Sequence, residues 1–202
     1  MRRASALLFV AATLLVAGCG SSKQESGAST AAAPAPTVTS PPAQTGEIDP
    51  MAGAGTKPVA GAREKTGTAL LERVAVGRHE GFDRVVFQFE NLRPGYRVEY
   101  VDRPIVEDGS GKEIAVAGQG VLLVRMEPAS GFDLATNEGR LVYKGPRRIE
   151  GSEAGTSVVR EAVRSSDFEA VLSWAIGVQE QVDFRVRALD NPARLVVDLR
   201  NH

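Results

Sequence analysis

Two histidines, His79 and His202, and one cysteine, Cys19, are all the imidazole and thiol chemistry this chain holds. A Ser-His-Asp relay has to use His79, since His202 sits on a fraying terminus, and no Gly-x-Ser-x-Gly elbow accompanies it. No His pair has metal-ligand spacing, so neither a metal nor any other cofactor is expected, and His79 reads as a polar turn residue. Carboxylates are more plentiful. Glu99, Asp102, Glu107 and Asp108 fall in one strand and turn, and Glu161, Asp167 and Glu169 in another, which is the raw material of a two-carboxylate glycoside hydrolase. Both groups interleave with Arg97, Arg103, Arg160 and Arg164, and mutual neutralisation on an exposed face accounts for them without catalysis. Gly109-Ser110-Gly111 and Gly118-Gln119-Gly120 lack the Lys-Ser/Thr and the helix of a phosphate loop, and read as turns. No enzyme is expected.

What remains is binding chemistry. Arg185, Arg187, Arg194 and Arg200 share the outer face of one hairpin, where they suit an anionic glycan or lipid head group. The register that sets Phe184 opposite Leu199 keeps apolar residues on one face. It also opposes Arg185 to Asp198 and Asp183 to Arg200, whereas neighbouring registers oppose like charges. Arg187 and Arg194 are then left without partners, as candidate anion ligands. Tyr96 and Tyr100 share a strand face, and Phe132 lies in the irregular stretch Glu127–Glu138. Exposed aromatics of this kind bind sugar rings, while Trp174 reads as core.

These residues need a scaffold, and the apolar period over residues 67–202 is overwhelmingly two. Val85, Phe87 and Phe89 alternate with Arg84, Val86 and Gln88. Phe168, Ala170, Leu172, Trp174 and Ile176 form a second inward set, and Leu195, Val197 and Leu199 a third. Ten stretches qualify, near 70–77, 84–90, 96–102, 113–117, 121–126, 140–144, 157–165, 168–177, 182–189 and 194–199; eight or nine are expected to be regular. Turn signals such as Arg93-Pro94-Gly95 and Asp190-Asn191-Pro192 separate them. No stretch carries a capped 3.6-residue stripe. The fold class is all-β, a single β-sandwich.

Residues 19–66 are of another kind. Ala31-Ala32-Ala33-Pro34-Ala35-Pro36 and Ser40-Pro41-Pro42 typify a segment with too little aliphatic surface to offset its ordering entropy. A disordered tether is expected, with a coil span of roughly 35–40 Å. Ahead of it, Arg2-Arg3 precede an apolar run of about 15 residues, shorter than the roughly 20 that span a bilayer. Val16-Ala17-Gly18-Cys19 resembles the lipobox of bacterial lipoproteins. That resemblance implies a signal peptide over residues 1–18, cleavage after Gly18, and diacylglycerol and acyl chains on Cys19. The protein is then extracytoplasmic, with the membrane as a partner through that lipid. Removing Arg2 and Arg3 from 24 basic residues leaves 22 against 25 acidic, a balance with no nucleic-acid footprint. With Cys19 lipidated no thiol remains for a disulfide.

Gly81-Phe82-Asp83-Arg84-Val85-Val86-Phe87-Gln88-Phe89, Ser166-Asp167-Phe168-Glu169 with Trp174-Ala175-Ile176-Gly177, and Pro192-Ala193-Arg194-Leu195-Val196-Val197-Asp198-Leu199 together resemble the AMIN-like domain of actinobacterial lipoproteins. The resemblance spans roughly 68–202. It implies a non-catalytic β-sandwich that binds peptidoglycan or another envelope polymer. Hosts of the related AMIN domain carry a separate amidase or secretin domain, and none is expected here, since the sequence closes at His202. The alternative is an adaptor that docks an envelope enzyme or secretion component through an exposed sheet edge.

Overall fold

The structure, a computed structural model, describes residues 49–63, 65–135 and 138–201. Cys19, the expected signal peptide and the expected tether up to residue 48 lie outside the described residues. The described chain falls within one compact unit, Gly46–His202, whose regular elements are all strands. Among the described residues no helix is long and apolar enough to cross a membrane.

Two sheets form the sandwich. The six-stranded sheet runs β1 (Val59–Gly61), β4 (Gly95–Tyr100), β7 (Gly120–Glu127), β13 (Val171–Val178), β12 (Val159–Phe168) and β11 (Arg148–Glu150). The five-stranded sheet runs β14 (Phe184–Asp190), β15 (Ala193–Arg200), β3 (Phe82–Phe89), β2 (Ala69–His79) and β8 (Ala129–Ser130). Two short pairs sit outside them, β5 (Ile105–Val106) with β6 (Glu113–Ile114), and β9 (Phe132–Asp133) with β10 (Arg140–Leu141). Among the described pairs only β2 with β8 is parallel.

The period-two pattern fixes which face is buried. Val85, Phe87 and Phe89 of β3 and Leu195, Val197 and Leu199 of β15 meet Leu122, Val124 and Met126 of β7 and Leu172, Trp174 and Ile176 of β13 in one core. Phe87 and Trp174 touch edge to face across the layers, with centroids 5.9 Å apart. Burial of each such side chain contributes about 1.5–3 kcal/mol. The hairpin register is the expected one, Phe184 opposite Leu199 and Arg185 opposite Asp198.

The two outer faces differ. That of the six-stranded sheet holds a second apolar cluster of Val121, Val163 and Ala175, over which Ile105 and Ile114 of the β5–β6 pair are packed. The outer face of the five-stranded sheet carries arginines instead.

Several expectations need correction. The folded unit begins before residue 67: Met51 is fully buried, Gly55 and Phe184 exchange backbone hydrogen bonds at 2.9 and 3.1 Å, and β1 pairs with β4. One methionine and one valine anchor this arm, too few for a composition argument to register. Strands β1, β5, β8, β9 and β11 are two or three residues long, below the reach of periodicity. Ala170 does not face the core. Glu169 and Ala170 form the two-residue turn between β12 and β13, with φ of 50° and 61°, and Phe168 is exposed.

Candidate functional site: an arginine face and an end cavity

Register across four strands lays out the outer face of the five-stranded sheet row by row. Gly77, Arg84, Asp198 and Arg185 form one row. The next holds Ala75, Val86, Val196 and Arg187, and the third Arg73, Gln88, Arg194 and Leu189. The small residues of β2 leave the face low on that side, and a β-carbon added at Gly77 would meet nothing within 4 Å.

Asp198 is the centre of this face. Its carboxylate is 0% exposed and accepts from Arg84 Nε at 2.6 Å and Nη2 at 3.1 Å, from Arg185 Nη2 at 3.1 Å and from Arg187 Nη2 at 3.1 Å. Burial works to raise its pKa. The hydrogen bonds from Arg84 and Arg185 and the charges of Arg84 and Arg187 outweigh it, so the carboxyl titrates below its ordinary value.

Two expected pairs are present, Arg185 with Asp198 and Arg200 with Asp183 at 3.7 Å. Arg187 is not the unpaired residue expected. Its long side chain reaches diagonally, one rung along the ladder, to the same carboxylate. Among the described residues Arg194 does lack a carboxylate; its Nε meets the carbonyl of Pro192, at 3.4 Å. Arg73 and Arg84 were not foreseen as members of this face, because nothing local in the chain says that β3 lies beside β15.

Tyr96 and Tyr100 do not form an exposed sugar-binding ladder. The Tyr100 hydroxyl donates to the carbonyl of Val182 at 2.8 Å and accepts its N–H at 3.0 Å, and the ring stands edge-on to Phe184. Burial pushes its pKa up. Tyr96 packs at the margin of the core with its ring over Gly61, where there is no room for a β-carbon. Trp174 is fully buried, as expected.

Phe132 stands apart from all of these. It is 39% exposed and lines a cavity of about 620 Å³ at one end of the sandwich, together with Leu70, Asn91, Ser130, Asp133, Asp167 and neighbours that include the exposed Leu134. The strained Glu169-Ala170 turn forms part of the wall. Asp133 contacts Arg140 at 3.4 Å. Asp167 accepts the Gly131 N–H at 2.9 Å and lies 3.9 Å from Arg164. The cavity thus offers one aromatic face and several hydrogen-bond acceptors, a combination suited to a hydroxyl-rich ring.

Neutralisation describes most of the other acids. Arg97 holds Glu99 at 2.5 Å and Arg147 holds Glu107 at 2.7 Å. Glu161 departs from the expected exposed position: it is 2% exposed, ion-paired to Arg148 and bonded to the Ala117 N–H at 2.8 Å. The segment that covers the outer face of the six-stranded sheet has closed over it. His79 ends β2, stacked on Phe82 at 4.9 Å. Among the described residues no group of three or more His, Cys, Asp or Glu is placed to hold a metal ion.

No curated protein and no solved structure matches this chain. The AMIN-like domain family does, over residues 69–201, which takes in every strand from β2 to β15 and both candidate regions. With that match covering well over half its length, the chain belongs to the AMIN-like domain family, whose members are associated with the cell envelope.

Proposed function

We propose that this protein is a non-catalytic envelope lipoprotein whose AMIN-like domain binds peptidoglycan or a related envelope polymer. Lipid on Cys19 anchors it, residues 20–48 serve as the leash, and the domain engages the polymer beyond the membrane. A lipid at one end and a weak polymer site at the other make residence a matter of effective concentration rather than of tight contact. The single observation that carries the binding role is the cavity at Phe132, an exposed ring beside hydrogen-bond acceptors. Family membership supports the envelope setting.

The test is co-sedimentation of residues 20–202, the whole chain after Cys19, with isolated sacculi. Saturable pelleting is expected, and its absence at every salt concentration rejects the reading.

A second reading, an adaptor that docks a protein strand, is favoured by the edge of β14. Phe184 points its backbone outward to Gly55, so Val186 and Ala188 point theirs the same way, and no described backbone group pairs with them. Lys57 and Pro58 flank that edge in a groove with Asp183 to Val186, which guards part of it. Cross-linking of the chain in envelope extracts, mapped to β14, tests the adaptor role.

A further inference from the structure

We infer that the outer face of the five-stranded sheet is a binding site for the oxyanions, carboxylate or phosphodiester, of a repeating envelope polymer, held by Arg73, Arg84, Arg185, Arg187 and Arg194 around Asp198. This rests on the reading of the domain as a polymer-binding module and names the chemistry that it takes.

The charge balance makes the case. A buried carboxylate needs one guanidinium to neutralise it, and Asp198 has three. The second and third add like-charge repulsion at close quarters, so fold stability alone does not account for them. Arg73 and Arg194, two rungs further along, have no carboxylate partner among the described residues. Of the acids nearby, Asp49 and Asp183 both engage Arg200, while Glu72 accepts at 2.9 Å from the neutral amide of Gln88 and keeps its charge. Five cations over two carboxylates, Asp198 and Glu72, leave a net positive field that suits an anionic ligand.

Donor geometry points the same way. Arg185 and Arg187 each spend an Nη2 on Asp198, which leaves the Nη1 of each guanidinium as a donor for a ligand. Asp198 therefore acts as a positioning residue. It holds three guanidiniums in place before any ligand arrives, which lowers the entropic cost of binding.

Size selects a polymer over a single ion. From the Arg84 row to the Arg73 row is about 13 Å, and from β14 to β2 about 14 Å, at ordinary strand rise and spacing. That field accommodates two or three anionic groups on one chain. The recess over Gly77 and Ala75 gives a backbone room to lie flat.

The experiment uses residues 20–202, unmodified and with the Arg73→Gln and Arg194→Gln pair, since neither arginine touches a carboxylate and the fold is left intact. Binding to poly-L-glutamate, to poly(glycerol phosphate), to sacculi and to phosphatidylglycerol vesicles is measured over a salt series. The unmodified chain is expected to bind one of the two soluble polymers, which identifies the oxyanion. The paired variant is expected to bind it roughly tenfold more weakly at low salt, with a shallower salt dependence. Equal binding by both proteins, binding to neither polymer, or binding to vesicles alone overturns the inference. If the unmodified chain ignores sacculi yet holds a soluble polymer through these arginines, the wall reading falls and this site stands. If both proteins pellet equally with sacculi and neither holds a soluble polymer, the reverse is true.

Discussion

Asp83, in β3 of one sheet, takes the backbone N–H of Val158 at 2.6 Å, at the entrance to β12 of the other. The same Oδ2 accepts from Ser157 at 2.9 Å and Val159 at 3.0 Å, and Oδ1 accepts from Asn201 Nδ2 at 2.8 Å. A fully buried carboxylate thus straps the two layers together at one edge. Asp83→Ala orphans two buried N–H groups and one part-buried, and is expected to cost about 3–5 kcal/mol. Asp83→Asn keeps one acceptor oxygen and is expected to cost roughly half as much. Urea denaturation orders the two, and equal losses would mean that the strap contributes shape rather than hydrogen bonds.

Asp198 gives the domain an acid-sensitive element. Its folded-state pKa is held below the ordinary 3.8, so its contribution is fully present above the unfolded value and is lost as pH falls through the folded one. Thermal unfolding between pH 6 and pH 2.5 should show stability falling at the low end. In Asp198→Asn that share of the slope should vanish, and stability at pH 7 should drop by about 3 kcal/mol. An unchanged slope would assign the acid sensitivity to other carboxylates.

The Glu169-Ala170 turn stores strain. Both residues have positive φ, which costs a residue with a β-carbon about 1–2 kcal/mol relative to glycine, and the two-residue hairpin favours Asn-Gly. Replacing the pair with Asn-Gly is expected to stabilise the domain by about 1 kcal/mol, read as a raised denaturation midpoint. Because Glu169 and Ala170 line the Phe132 cavity, pelleting of this variant with sacculi also reports whether the strained turn matters for binding.

Phe132→Ala separates binding from folding. The ring is 39% exposed and lies outside the main core, so the cost in stability is expected to stay below about 1 kcal/mol. Affinity for sacculi is expected to fall several-fold. Trp174, the sole tryptophan and fully buried, provides the control, since its emission should remain that of the folded unmodified chain. Unaltered pelleting would remove the cavity from the binding surface.

How much of this was legible in the chain depends on sequence distance. The β14–β15 register was readable because alternating Arg and Asp leave one pairing without like charges opposed. The place of Phe132 in an irregular stretch marked it as a binding candidate, while whether its ring faced solvent was not readable there. The arginine face was not. It exists because Arg84 meets Asp198 across 114 residues of separation, and no local pattern carries that adjacency. The burial of Tyr100 was hidden in the same way, since Val182, which satisfies its hydroxyl, lies 82 positions away. The early start of the fold was masked by composition: Ala, Gly and Pro surround Met51, and one buried side chain among them does not alter a hydropathy average.

The arm from Asp49 to Pro58 also decides how the domain meets tension. Any pull arriving from the preceding chain loads the Asp49–Arg200 ion pair first, then the seat of Met51, then the Gly55–Phe184 rung. These contacts stand in series, so they give way in turn before the pairing of β3 with β15 is pulled apart. Ten residues would peel away, lengthening the span by about 30 Å. The arm is a mechanical fuse: it yields length before the pairing within the sandwich gives way.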